Sequence, residues 1–101
     1  MTLTEFKSSL KENTPPTGVS IYLLSLWYDG KGDWDKAHSL VDSLSGQEAA
    51  RVHAYLHRKE GDISNANYWY QRADSQMPAA GLEVEWDILV DSFLYRQQKC
   101  R

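Results

Sequence analysis

Three histidines and a glutamate are the residues of this chain whose types and spacing could do chemistry. His53, His57 and Glu60 stand at i, i+4 and i+7, so on a helix they share one face. Two imidazoles and a carboxylate on one face can ligate zinc, and a neighbouring helix could bring His38 to them. The order is not the His-Glu-x-x-His arrangement in which a glutamate activates metal-bound water. The favoured expectation is that these are core histidines with hydrogen-bonded ring nitrogens. A metal or small-ligand site made of His38, His53, His57 and Glu60 is the alternative. In that case carboxylates such as Asp33 or Asp62 would be needed behind the rings to fix their tautomers.

Little else in the chain suggests reaction chemistry. Ser, His and Asp all occur, but no nucleophile elbow organises them. Gly30-Lys-Gly32 lacks the strand and spacing of a phosphate-binding loop. With no catalytic constellation the chain is expected not to be an enzyme, and no cofactor is expected. Cys100 stands alone, which excludes an internal disulfide, fits a reducing compartment and reads as an incidental exposed thiol.

The elements that must position the histidines follow from two short punctuation marks. Gly32-Asp33 and Gly61-Asp62 recur at an offset of 29 residues. A glycine can close one helix in the left-handed conformation, and the aspartate can cap the next. The unit therefore reads helix, tight turn, helix. A first helix runs from about Val19 to Asp29, and a second follows Asp33 with Trp34, Ala37, Leu40, Val41 and Leu44. Ser45-Gly-Gln-Glu48 has capping-box spacing for a third helix, reaching about Lys59. A fourth follows Asp62, with Ile63, Ala66, Tyr70 and Ala73 on one stripe, and Pro78 lies beyond its end.

Two flanking helices complete the pattern. Thr2 and Glu5 form a capping box before Leu3, Phe6 and Leu10, closed by Thr14-Pro-Pro-Thr-Gly18. Leu82, Trp86, Leu89, Val90 and Phe93 mark a last amphipathic helix. Glu83, Glu85 and Asp87 lie in its first turns, and Arg96, Lys99 and Arg101 at its end, which opposes the helix dipole at both ends. The acidic run from Glu83 to Asp91 is expected on its solvated face. No segment alternates with period two, so the chain is expected to be all-α with about six helices.

Composition bounds the rest. The chain has 101 residues, 42% hydrophobic and 25% charged, enough for one domain and one core. Fourteen acidic against eleven basic residues give a net charge of −3, so neither nucleic acid nor an anionic membrane is an expected partner. No apolar run approaches the ~18 residues of a membrane span. MTLTEFKSSLKEN has no apolar segment typical of a signal peptide, so a cytoplasmic location is expected.

The helix pairs resemble the tetratricopeptide repeat. The second unit matches best, with Ala54, Gly61, Ala66, Tyr70, Ala73 and Pro78 at its small, turn, aromatic and proline positions. The first matches through Ser25, Tyr28, Gly32, Trp34 and Ala37. Such repeats are normally about 34 residues, so the 29-residue offset means a tightened connection. The strings LWYDGKGDWDKAH and ARVHAYLHRKEGDISNANYWYQRA, with Glu85-Trp86, resemble a family of small bacterial proteins. That resemblance spans roughly residues 15–94 and implies a tetratricopeptide-like fold without implying an activity. The expected organisation is an N-terminal helix and loop (1–17), a first unit (18–45), a second unit (46–78) and a capping helix (79–101).

In stacked repeats the first helix of each unit lines a concave binding surface. Projected here, Tyr22, Leu26 and Asp29 come from the first unit and Arg51, Tyr55 and Arg58 from the second. Two arginines about a tyrosine could hold a carboxylate or phosphate. The leading expectation is thus a non-enzymatic adaptor binding a protein or peptide segment in this groove, as a monomer or weak homodimer. The four tryptophans are expected in the core, as aromatic bulk replacing the third repeat that such stacks normally need.

Overall fold

The computed structural model describes residues 1–99, the last by its backbone alone. Cys100 and Arg101, expected as an exposed thiol and as part of the basic helix end, lie outside the described residues. Six helices and no strand are present among the described residues, and the all-α expectation holds. They are α1 (Leu3–Ser9), α2 (Ile21–Gly30), α3 (Trp34–Val41), α4 (Gln47–Lys59), α5 (Ile63–Arg72) and α6 (Leu82–Lys99). None is long and apolar enough to cross a membrane.

Two hairpins, α2/α3 and α4/α5, form the body of the molecule, and their turns are built alike. Gly32 and Gly61 have φ of +87° and +89°. The amides that follow them, of Asp33 and Asp62, donate back to Tyr28 O and His57 O at 2.9 and 3.0 Å. Each aspartate then caps the next helix, accepting from Lys36 N and Asn65 N. Small residues let the paired helices approach: Ala54 and Ala66 are fully buried in one hairpin, Ser25 and Ala37 in the other. The Ser25 hydroxyl is satisfied by donating to Ala37 O at 2.7 Å.

The connection between the hairpins differs from expectation. α3 ends at Val41, and Leu44 packs against the core from beyond the helix. The capping box anticipated at Ser45 does not form. Gly46, at φ +102°, occupies the cap without a side-chain bond, and Glu48 pairs instead with Arg96 of α6. A left-handed cap leaves no hydroxyl in reach of the helix, so α4 starts on geometry alone. At the other end of the second hairpin, Asp74 takes φ +55° and the Ser75 amide closes the turn on Tyr70 O.

α6 lies on α2 and α4, and α1 lies on α6. Trp86 and Phe93 of α6 pack with Phe6, Leu23, Leu26, Trp27, Tyr55 and Leu56 in the main core. The Trp86 indole donates to Leu26 O at 3.0 Å and that of Trp27 to Ser9 Oγ at 3.1 Å. Gly30 shows how tightly α2 is enclosed: a methyl group there would stand 2.9 Å from Leu10 Cδ2 and 3.2 Å from Trp86. At Gly61 no atom lies within 4 Å of such a methyl group. Gly61→Ala should therefore lose only the conformational term, about 1–2 kcal/mol, read as a lower urea midpoint with an unchanged slope.

Candidate functional site

The histidines meet where the two hairpins touch. α3 carries His38 toward α4, whose buried His53 and His57 are stacked one turn apart with ring centroids 6.0 Å apart. The His38 ring stands edge-on to both, at 5.1 and 5.3 Å. One ring nitrogen from each lies within 4.8 Å of the other two. Two indoles wall the group. Trp34 stacks on His38 at 5.0 Å and 8°, and Trp69 of α5 stacks on His53 at 4.3 Å and 14°. Trp34 is itself fixed by donating to Leu56 O at 2.8 Å.

Hydrogen bonding assigns the tautomers. The Val41 carbonyl can only accept, so the His53 nitrogen 3.1 Å from it, Nε2, carries the hydrogen. Its Nδ1 is left as the lone-pair nitrogen and has no hydrogen-bond partner, although the residue is 1% exposed. Burial, reinforced by the neighbouring His38 and His57, holds this imidazole below the usual histidine range despite the bond to Val41. Its neutral form is therefore favoured. In His57 it is Nδ1 that donates, to Glu60 Oε2 at 2.6 Å, which leaves Nε2 on the opposite side of the ring from the carboxylate. His38 is the member nearest solvent, with a quarter of its side chain accessible and Asp42 Oδ1 3.9 Å from its Nε2.

This geometry departs from the sequence expectation at two points. A core histidine should have both nitrogens satisfied, and His53 does not. Glu60 sits behind His57 and orients it, the place assigned above to Asp33 or Asp62. Those aspartates serve as helix caps. Glu60 does so because its helix ends at Lys59, leaving the side chain free to turn back by three residues. The i, i+3 spacing of His57 and Glu60 was the available signal.

The residues projected onto a concave groove are not an open surface. α6 covers them. Leu26, Asp29 and Tyr55 are at most 2% exposed, and Tyr22 stacks on Phe93 at 5.3 Å. Asp29 accepts from the Tyr55 hydroxyl and the Lys59 ammonium, both at 2.8 Å. The buried, hydrogen-bonded Tyr55 phenol is held well above the usual tyrosine range, first by desolvation and then by the Asp29 charge. Arg58 donates to Glu85 Oε1 and Ala80 O, and Tyr70 donates to Glu85 Oε2. Arg51 is half-buried and lines a small hollow with Tyr70 and Glu85. Glu85 is thus buried, a correction to the solvated acidic face expected for Glu83 to Asp91.

No family model, curated protein or solved structure matches this chain. The functional reading rests on the geometry.

The Arg58–Glu85 pair defines what the covered face contributes to stability. Arg58→Met should cost about 3 kcal/mol, because it leaves a buried carboxylate short of its cation. Arg58→Met combined with Glu85→Met should recover most of that loss, which urea unfolding of the single and double variants will show.

Proposed function

We propose that this chain binds a divalent transition-metal ion through His38, His53 and His57, with Glu60 orienting His57. The observation that carries the reading is a buried His53 Nδ1 without a hydrogen-bond partner, on a ring that has one nitrogen within 4.8 Å of a nitrogen of each of two further imidazoles. Leaving such an atom unpaired costs about 1–3 kcal/mol, and a bound cation removes that cost. The carboxylate behind His57 is the companion that metal-bound histidines usually have. An all-imidazole donor set suits zinc, copper, nickel or iron rather than calcium or magnesium.

An ion held at ~2.0–2.1 Å in tetrahedral fashion needs its nitrogens about 3.4 Å apart, inside the 4.8 Å within which the three lie. The scaffold that holds the site is read as tetratricopeptide-like. The matching Gly-Asp turns, the 29-residue offset and the small residues inside each hairpin support that reading.

Zinc at about 100 times its Kd should add about 2.7 kcal/mol to the unfolding free energy of untagged protein. Glu60→Gln should weaken binding about 10–100-fold, and His38→Ala should weaken it further. Protein that purifies without metal and melts at the same temperature with zinc, cobalt, nickel or copper would end this reading.

A second reading, a protein-binding role, is supported by the outer face of α6. Val84, Ile88 and Tyr95 are about half exposed or more there, and Met1 is exposed nearby. Leu3 and Leu94 complete the hollow lined by Met1, Ile88 and Tyr95. A second copy of the chain is the simplest occupant of this face. Light scattering should then show a concentration-dependent dimer that Ile88→Lys abolishes; a monomer at millimolar concentration removes this reading.

A further inference from the structure

Resting on the metal reading above, we infer that the bound ion keeps one coordination position open toward the His38 edge, where it takes a small monodentate anion. Three observations lead there. The first is the donor count: among the described residues the converging group holds three donors. Glu60 is committed to His57 Nδ1 at 2.6 Å and forms a separate group with His57 and Asp62. Asp42 is largely exposed, with its carboxylate oxygen 3.9 Å from the His38 Nε2. Structural zinc sites close with four protein ligands, whereas three leave a position for water or another exogenous ligand.

The second is charge. Three neutral imidazoles do nothing to offset the two positive charges of the ion, and His53 and His57 are both buried. A doubly charged centre in such surroundings is costly unless an anion joins it. Glu60 supplies one negative charge through His57, while the Asp42 carboxylate, 3.9 Å from the His38 Nε2 but 66% accessible, acts on the ion only through screening solvent. A singly charged ligand at the open position closes the charge balance.

The third is access and shape. His53 is sealed by Trp69, and His57 is 8% exposed. The His38 side chain is 24% accessible, the most exposed of the three histidines. Trp34 lies flat against the other side of the same edge at 8°. A ligand that enters beside that indole plane has to be small, and a two- or three-atom anion meets that requirement.

Cobalt(II) reports coordination directly, because its visible bands change with ligand number and type. Untagged protein loaded with cobalt(II) should show a four-coordinate spectrum, and azide should shift it saturably with one-to-one stoichiometry. Asp42→Asn should respond to azide as the wild type does. Failure to bind cobalt(II) at all would strike the metal reading itself. Cobalt(II) bound with a spectrum indifferent to azide would overturn the open position alone. An azide response that appears only in Asp42→Asn would overturn it too, by showing that Asp42 fills the site. So would a thiolate-to-cobalt charge-transfer band that disappears in Cys100→Ser.

Discussion

Two helical hairpins cannot bury the face their leading helices share, and covering that face is the constraint on which this structure depends. α2 and α4 present Leu23, Leu26, Trp27, Tyr55 and Leu56 on one side. In a longer array further hairpins would curve around such a surface and leave it open as a groove. Here α6 is laid directly on it. Its Trp86 and Phe93 fill the surface, and Glu85 receives the Arg58 and Tyr70 groups that would otherwise reach into solvent. A buried carboxylate is tolerated only because both of its oxygens are occupied.

That choice makes α4 a helix buried on nearly every side. Residues Val52 to His57 are all buried without a break. One stripe, Tyr55 and Arg58, is spent on α2 and α6. The opposite stripe, His53, His57 and Glu60, is turned toward α3 and α5. The two stripes have the same i, i+3 and i+4 logic but opposite fates. The first has its polar atoms paired with protein groups, and the second retains a lone pair that no protein group meets. Polar atoms that a fold leaves unpaired in its interior are where a ligand has most to gain.

The hairpins were legible in the sequence because the Gly-Asp turns act locally. A left-handed glycine and a capping aspartate depend on their immediate neighbours, and both turns form as their residues dictate. The shared face of His53, His57 and Glu60 was legible for the same reason, since spacing along one helix fixes it. The fate of Leu26, Asp29 and Tyr55 was not. Whether a stripe is open depends on what covers it, and the pattern of Leu82 to Phe93 states only that α6 has an apolar face. The carboxylate beside His57 did carry a signal, the i, i+3 spacing of Glu60. Asp33 and Asp62 each place one oxygen on a capping amide, and Asp62 also has a carboxylate oxygen within 4.8 Å of His57 and Glu60. Ser45 failed as a cap because the next residue adopts positive φ.

The indoles flat against His38 and His53 have a consequence for how the cluster meets any ligand. Immobilising a freely rotating side chain on binding costs about 0.5–1.5 kcal/mol. Trp69 holds His53 at 4.3 Å and Trp34 holds His38 at 5.0 Å, while Glu60 holds His57. Much of the rotational entropy of all three rings is therefore surrendered when the chain folds rather than when a ligand arrives. Trp34 and Trp69 thus act as preorganising elements. Were the cluster to take a ligand, that preorganisation would favour binding without either indole touching it.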